Sequence, residues 1–396
     1  MNQRIIAAAA ENERELIRFL RDIIAIPSTS SKEERVVLRV RDEMERCGYD
    51  EAVIDPMGNV LGRIGSGTRI LACDAHVDTV DVGDPGSWKV DPFKGDMKDG
   101  IIYGRGACDM KGALASIVYG GKLIKQLGLQ GDFSLYIVGS VQEEDCDGLC
   151  WQHIIREGGL QPEAVVIAEP TNLGVYRGHR GRMEIEVRTR GVSCHGSAPE
   201  RGDNAIYKIA PIIQDIERLN ERLSGEPFLG KGTVTISEVR STSPSLCAVA
   251  DSSTIHLDRR LAATDTLDSA LREIRDLDSV RRTGAEVTVL EYAVPSWRGL
   301  VYPTKKYYPT WLLPEDHPLL LAGMRTYKDL FDAEPVVGRW SFSTNGVAVM
   351  GMHGIPCIGF GPGNEVFAHM ATEQIAVDQL VKASAWYAAF PQIYCQ

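Results

Sequence analysis

The first 180 residues alternate between helical periods and short apolar runs. Leu16, Leu20 and Ile23 recur at the spacing of one helix face. Apolar runs bounded by polar or glycine residues predict buried strands. The elements predicted in chain order are helices over 16–24, 33–47 and 112–126 and strands over 70–73, 133–138 and 164–168. This alternation indicates an α/β fold with a mostly parallel sheet.

The pattern changes near residue 181. Met183, Ile185 and Val187 alternate with charged residues, which predicts a half-exposed strand. Further signals give the order β-α-β-β-α-β, with helices over 204–223 and 265–276 and strands over 233–239, 253–261 and 287–294. That order is typical of a ferredoxin-like unit. We therefore predict a catalytic domain in two parts, 1–180 and 297–396, interrupted by a small α+β lid, 181–296.

Two short segments carry more local predictions. Ser31-Lys32-Glu33-Glu34 has the form of a capping box, so Ser31 is expected to cap the helix that stops at Gly48. Arg4 precedes six apolar residues and then an acidic run, which favours a helix over a signal peptide. Five aromatic residues within 297–311 are expected either to line a specificity pocket or to pack under a hinge.

Composition narrows the class of protein. Apolar residues make up 44% of the chain, as in a folded globular protein, and the net charge of −11 disfavours nucleic acid and anionic membranes as partners. No apolar run approaches the ~18 residues that a membrane span requires. Nine scattered cysteines, with no C-x-x-C pair, are typical of reduced thiols. We therefore expect a cytoplasmic protein.

Candidate metal ligands follow each of three predicted strands. His76 and Asp78 follow the first strand, Glu143 and Glu144 the second, and Glu169 the third. The carboxyl ends of strands gather ligand sites in open α/β sheets. Carboxylates mixed with imidazole suit Zn²⁺, Mn²⁺ or Co²⁺. The sequence thus predicts a metal site at this edge of the sheet.

Two more candidates lie outside these strands. Asp109 stands in Gly104-Arg105-Gly106-Ala107-Cys108-Asp109-Met110-Lys111-Gly112, just before a predicted helix, and its two oxygens suit a bridge between two cations. His369 follows Gly361-Pro362-Gly363 and precedes the C-terminal helix.

These motifs, in this order over nearly the whole chain, resemble the M20 family of dinuclear zinc peptidases and deacylases. The resemblance implies two Zn²⁺ per subunit, with Co²⁺ or Mn²⁺ as alternatives. It implies Glu143 as general base, and Asp78 as the carboxylate that orients a metal-bound histidine. One metal would be held by His76, Asp109 and Glu169, and the other by Asp109, Glu144 and His369.

The resemblance extends to the lid. Gly191-Val192-Ser193-Cys194-His195-Gly196 is similar to a family stretch whose histidine stabilises the oxyanion, in dimers often that of the other subunit. Asp258-Arg259-Arg260 resembles a stretch whose arginine grips a substrate carboxylate. Strand alternation places only one of the two arginines on a given face, and Arg259 is the one predicted to bind the substrate carboxylate. The resemblance also implies a homodimer through the lid edges.

One late stretch departs from the family pattern. Gly338–Gly346 stands where many relatives have a GGTSD-like stretch, and Asn345 within it is the candidate for substrate contact. The leading hypothesis is therefore a hydrolase that cuts an amide bond in a small substrate with a free carboxylate.

Three alternatives remain open. Within the same class, the enzyme is either a deacylase or a dipeptidase or carboxypeptidase. A cysteine hydrolase built on Cys194 and His195 is disfavoured, because adjacent strand residues point to opposite faces. A non-catalytic metal-binding homologue is disfavoured because every ligand and the base are present.

Overall fold

The computed structural model describes residues 1–129 and 131–396. Its helices lie close to the predicted positions in the first half of the chain. They are Asn2–Glu11, Glu13–Ile24, Glu34–Arg46, Lys111–Leu127, Leu149–Arg156, Ala205–Arg222, Leu267–Arg275, Asp278–Thr283, Pro318–Phe331 and Val377–Tyr394.

A mixed eight-stranded sheet forms the centre of the larger part of the molecule. Its strands, in spatial order, are Glu51–Ile54, Val60–Ile64, Phe133–Ser140, Arg69–His76, Ala164–Ile167, Cys357–Gly359, Val175–Tyr176 and Val337–Gly338. The four strands from Phe133–Ser140 to Cys357–Gly359 run parallel, and the first two strands are antiparallel to their neighbours. The predicted α/β fold with a mixed sheet is confirmed.

The helix Lys111–Leu127 packs between this sheet and the C-terminal helix Val377–Tyr394. It is buried on nearly every side, which explains its largely apolar sequence. Gly120 allows the close approach, since a Cβ there would lie 2.7 Å from the Cβ of Tyr387. The helix ends at Gly128, whose φ of +65° is readily adopted only by glycine.

The predicted capping box at Ser31 is wrong. The helix begins at Glu34, and no side chain caps its first turn. The Ser31 hydroxyl donates instead to the carbonyl of Pro295, and the buried Glu33 carboxylate accepts from the backbone N–H of Gln142. Long-range contacts have taken both polar side chains away from local capping.

The lid is built on an antiparallel sheet with its own hydrophobic core. The strands in spatial order are Thr233–Thr242, Ser252–Leu261, Gly181–Arg190 and Glu286–Val289, and Tyr307–Tyr308 adds a fifth strand against Gly181–Arg190. The helix Ala205–Arg222 covers one face. The order is the predicted one, except that the second helix divides into Leu267–Arg275 and Asp278–Thr283.

The chain that returns from the lid packs against both parts of the molecule, in an order that does not follow the sequence. Tyr292 belongs to the core of the larger part, whereas Tyr307, further along the chain, packs against the lid core. The boundary at 296/297 stays a prediction, and the structure shows contacts across it in both directions. The remaining short strands form small separate sheets: Asp96–Lys98, Ile101–Tyr103 and Gln374–Ala376 in one, and the pairs Gly178–His179 with Trp311–Leu312, Gly225–Glu226 with Gly230–Lys231, and Glu291–Tyr292 with Thr304–Lys305.

Across residues 1–129 and 131–396, no helix combines the length and apolarity needed to span a membrane. The nine cysteines are free thiols, and seven of them are buried or half-buried in the larger part of the molecule.

Candidate active site

Three neighbouring strands deliver the first group of site residues. His76 ends the strand Arg69–His76, which lies between the strands that lead to Glu143 and to Glu169. The Nε2 atom of His76 is 3.5 Å from a carboxylate oxygen of Glu169 and 4.0 Å from one of Glu143. All three side chains are buried. The parallel sheet thus places these side chains together because their strands end at the same edge.

Asp109 and His369 enter from loops and complete the cluster. One oxygen of Asp109 is 3.1 Å from His76 Nε2, and the other is 3.2 Å from His369 Nε2. His369 Nε2 also lies 3.1 Å from a carboxylate oxygen of Glu144. The loop before Asp109 turns at Gly106, whose φ is +81° and whose missing Cβ leaves room for the Lys111 side chain.

The six side chains form one cluster in which Asp109 stands between two histidines. Among the residues that the structure describes, two trios have donor atoms within 4.8 Å of one another: His76 with Glu143 and Glu169, and His76 with Asp109 and Glu144. Neither trio is identical to a predicted ligand set. The assembly of the six residues is therefore observed, and their division between two metals stays a prediction.

The electrostatics of the cluster favour bound cations. Burial raises the pKa of Glu143 and of Glu169 well above the usual carboxyl range, and nearby carboxylates add to this effect while the charge of His76 opposes it. Hydrogen bonds to Asp109 and Glu144 raise the pKa of His369 to about 10. Burial alone would raise the pKa of Asp109, but contacts with His369 and His76 hold it well below its ordinary value.

Two carboxylate oxygens in the cluster lack a donor. Glu143 Oε1 and Glu169 Oε2 are buried and have no hydrogen-bond partner within the described residues. Leaving a buried charged oxygen unpaired is costly. Divalent cations held by oxygen and imidazole donors would remove that cost, so the residues present fit a metal centre.

Asp78 lies beside His76, as predicted, but its contact is mainly through the backbone. His76 Nδ1 is 2.9 Å from the Asp78 carbonyl oxygen and 3.5 Å from the nearer carboxylate oxygen. The other carboxylate oxygen accepts from the Ser30 hydroxyl and from the backbone N–H of Glu144. Asp78 therefore connects the histidine to the loop that carries Glu144.

Glu373 is a supporting residue that the sequence reasoning missed. Its carboxylate accepts from the backbone N–H groups of Cys108 and Asp109, each at 2.9 Å, and pairs with Arg105 at 2.6 Å. Burial raises the pKa of Glu373 to about 7. The only signal in the sequence is its position four residues after His369.

Gln142 ties the loop of the proposed base to the chain that returns from the lid. Its amide donates to the Ser31 hydroxyl at 2.9 Å and to the Tyr292 hydroxyl at 3.0 Å. The Tyr292 hydroxyl in turn donates to Asp145, two residues after Glu143. These hydrogen bonds connect the chain that returns from the lid to the loop that carries Glu143.

A cavity of about 370 Å³ opens onto the cluster. Four metal-ligand candidates, Asp109, Glu144, Glu169 and His369, form its floor together with Glu143, and the lid contributes Arg182 and Arg260. Phe342, Ser343 and Glu365, from the second part of the larger domain, also line the cavity. None of the aromatic residues of 297–311 is among the lining residues, and Tyr308 and Trp311 are buried in the core. The alternative in which that stretch packs under the hinge is the one that the structure favours.

The choice of Arg259 as the substrate-binding arginine is wrong. Its side chain is fully buried and pairs with Asp265 and Glu273, each at 2.9 Å. Arg260, on the other face of the same strand, lines the cavity and is paired with Asp258 at 2.8 Å. The alternation rule was sound, but the sequence alone did not show which face was covered by the helix Leu267–Arg275.

Asn345 also does not face the cavity. It is buried, and its carbonyl oxygen accepts from the backbone N–H of Gly148 at 2.8 Å. Its amide donates to Asp74 at 2.9 Å and to Ser140 at 3.1 Å. Asn345 therefore braces two strand ends beneath the site, and the prediction of substrate contact is wrong.

His195 lies on an exposed lid loop, and it is not among the residues that line the cavity of its own chain. Its Nδ1 is 2.7 Å from the Ser197 hydroxyl. The neighbouring Cys194 thiol contacts backbone carbonyls, that of Ala198 at 3.3 Å, and not the imidazole. The cysteine-hydrolase alternative gains no support from this arrangement.

Comparison with known proteins agrees with the site. The family model described as peptidase family M20/M25/M40 matches residues 72–392. The chain belongs to this family. It is accordingly a metal-dependent hydrolase of amide bonds, and the resemblance inferred from the motifs is confirmed.

Individual proteins to which this M20 chain is similar include two bacterial relatives and one solved structure. An uncharacterized protein of Escherichia coli strain K12, YgeY, is 54% identical over 387 residues, which cover 98% of this chain and 96% of that protein. A probable succinyl-diaminopimelate desuccinylase of Staphylococcus epidermidis is 30% identical over 211 residues, 52% of each chain. The structure of a tripeptidase from Staphylococcus aureus has the same fold, with a TM-score of 0.74 at 19% identity and coverage of 97% and 99%.

Proposed function

We propose that this M20 hydrolase uses two divalent cations, Zn²⁺ in the first instance with Co²⁺ or Mn²⁺ as alternatives, to cleave an amide bond in a small substrate with a free carboxylate. The observation that carries the proposal is the position of Asp109, whose two oxygens each contact a different histidine. A carboxylate held in this way is suited to bridge two cations.

Five residues would hold the metals, and Asp78 would orient one of them. His76, Asp109 and Glu169 would bind one cation, and Asp109, Glu144 and His369 the other. Such a pair of cations lowers the pKa of a water molecule and polarises the scissile carbonyl. Asp78 would fix the His76 ring through its contacts at Nδ1.

Glu143 is proposed as the general base. It is buried at the floor of the cavity, and one of its carboxylate oxygens has no donor among the described residues. Burial raises its pKa, which brings it closer to the range in which a group both accepts and returns a proton near neutral pH. Glu143 would accept a proton from the attacking water and deliver it to the nitrogen of the leaving amine.

Arg260 replaces Arg259 as the proposed partner of the substrate carboxylate. It lies on the lid face that lines the cavity, and its planar guanidinium suits a bidentate contact. Arg182 lies in the same wall, held by Asp147 at 2.9 Å and over the Tyr308 ring at 4.6 Å. Both guanidinium groups already contact aspartates, Arg182 with Asp147 and Arg260 with Asp258, so a substrate carboxylate would join these ion pairs.

A homodimer remains part of the proposal. The lid strand Thr233–Thr242 lies at the edge of its sheet and is mostly exposed, and Val239 on it is 57% exposed. An uncovered edge strand of this length is suited to pair with a second copy. In such a dimer His195 would reach the other subunit's cavity as the oxyanion donor. A monomeric active enzyme in light scattering would contradict this part.

The central experiment compares the zinc-loaded protein with Glu143→Gln on a panel of dipeptides and N-acyl amino acids. We expect kcat to fall by a factor of about 10² to 10⁴ with metal content unchanged. Glu34→Gln, at an exposed site in the same domain, is the control and should retain full activity. A Glu143→Gln protein with undiminished kcat would contradict the proposed role.

A further inference from the structure

One carboxylate in the wall of the cavity is not used by the metal cluster. Glu365 lines the cavity and lies in the turn Glu365–Phe367, on the loop that ends in His369. One of its oxygens accepts from the Ser341 hydroxyl at 3.3 Å. The other is buried and has no hydrogen-bond partner within the described chain.

The two arginines that line the cavity are already paired with aspartates. Arg182 bonds to Asp147 at 2.9 Å, and Arg260 bonds to Asp258 at 2.8 Å. Glu365 forms no ion pair within 4 Å among the described residues, although hydrogen bonds from Ser341 and the more distant charge of Arg339 act to lower its pKa. Burial outweighs that effect and raises the pKa of Glu365. A half-buried carboxylate without a cation is expected to gain from one.

Outside the metal cluster, the cavity therefore offers a ligand one carboxylate without a cation and two guanidinium groups that already contact carboxylates. Arg260 and Arg182 stand on the lid side, and Glu365 stands on the side of the loop that carries His369. An N-acetyl or N-succinyl amino acid offers carboxylates to the arginines but offers Glu365 a neutral or negative group. A substrate with an ammonium group satisfies both sides.

We propose that Glu365 is a specificity-determining residue, which selects amide substrates that carry a free ammonium group as well as a carboxylate. The simplest such substrate is a dipeptide with a free amino terminus. This inference rests on the proposed function, since it concerns the substrate of the same site. It names the feature that separates a dipeptidase from a deacylase of simple N-acyl amino acids.

The test uses two matched pairs of substrates with the zinc-loaded enzyme. Alanyl-alanine is compared with N-propionyl-alanine, which differs in lacking the amino group. Nα-acetyl-lysine is compared with Nα-acetyl-norleucine, which lacks the ammonium at the end of the side chain. We expect kcat/KM to be about 10- to 100-fold higher for the ammonium-bearing member of at least one pair, because a hydrogen bond between charged groups is stronger than a neutral one.

Two variants assign that preference to its residue. Glu365→Gln should reduce the preference to near unity, by loss of kcat/KM on the ammonium-bearing substrate. Ser341→Ala removes the hydrogen bond from the Ser341 hydroxyl to Glu365 but keeps the charge of Glu365, and it should keep the preference. Metal content is measured in both, because the loop also carries His369.

The outcomes separate this inference from the function on which it rests. Equal kcat/KM within both pairs in the wild-type protein, or a preference that survives Glu365→Gln, would overturn the role of Glu365 and leave the amide hydrolase intact. Failure of the zinc-loaded protein to hydrolyse any of the four substrates would overturn the proposed function and this inference with it.

Discussion

The floor and the lid wall of the cavity differ in how firmly the chain itself fixes them. On the floor, His76, Glu143 and Glu169 follow adjacent strands of one sheet, and their contacts are made within one domain. On the lid wall, Arg260 reaches the cavity only because a helix covers the opposite face of its strand and occupies Arg259. The floor is thus a local consequence of sheet topology, and the wall depends on how two domains meet.

Removal of the metals is the strongest test of the floor. The cluster holds Asp109, Glu143, Glu144 and Glu169 in contact with only two histidines. We expect exhaustive chelation to abolish hydrolysis and to lower Tm, since a ligand that binds only the folded state adds about 2.7 kcal/mol at 100 times its Kd. Activity and Tm should both return when Zn²⁺ is added back. An unchanged Tm after chelation, with metal loss verified, would argue against a metal-stabilised floor.

The two arginines provide a paired test of the lid wall. Arg260→Met should raise KM about 10- to 100-fold for substrates with a carboxylate and leave the free energy of unfolding nearly unchanged. Arg259→Met should leave KM nearly unchanged and lower the free energy of unfolding. It leaves Asp265 and Glu273 without their shared partner, at a cost of about 3–5 kcal/mol. Urea denaturation and steady-state kinetics of both variants distinguish the roles, and a KM effect confined to Arg259→Met would restore the original choice.

These contrasts show what the sequence was able to predict. Short sequence motifs mark the strand ends, the glycine-rich loop before Asp109 and the segment around His369. The sequence therefore predicts the residues of this cluster one by one. Glu365 has no such motif, because its significance arises only from the cavity that it lines together with Arg260.

Asn345 and Ser31 show the other limit. Each is a polar residue at a position where local reasoning expects contact with substrate or capping of a helix. Each is instead engaged by groups that are distant in sequence, Asp74 for Asn345 and Pro295 for Ser31. Such long-range partners become visible only when the fold is known.

Buried Glu33, which contacts the backbone of Gln142, predicts that the stability of the protein depends on pH. Burial, reinforced by the charge of Asp78, raises the pKa of Glu33 from about 4.5 to about 8. Between these values the folded protein keeps a proton that the unfolded chain has released, so this contribution is full below pH 4.5 and is lost as pH rises through 8.

Glu33→Gln keeps the shape of the side chain without the charge. The free energy of unfolding of Glu33→Gln, relative to that of wild type, should increase by on the order of 1–2 kcal/mol between pH 5 and pH 8.5. Urea denaturation of the metal-loaded proteins measures this difference. Glu34→Gln, the exposed neighbour, is the control and should show no such gain. A constant difference between Glu33→Gln and wild type across this range would contradict the assignment.

The smallest effect is expected at Cys194, a thiol on the lid. Cys194 contacts backbone carbonyls, and no contact links it to the metal cluster in the described structure. Cys194→Ala should therefore change kcat/KM by less than about twofold, as for a surface substitution away from the site. Loss of turnover in this variant, with metal content intact, would revive the cysteine-hydrolase alternative.

The interleaved return from the lid has a practical meaning for protein engineering. A chimera that exchanges lids between M20 proteins at residue 296 would leave Tyr307–Tyr308 attached to the recipient, although this strand completes the donor's sheet. The same cut would separate Tyr292 from the Gln142 amide that it accepts from. A graft should therefore keep residues 291–292 from the recipient and 307–308 from the donor, so the exchangeable unit is not one continuous stretch of sequence.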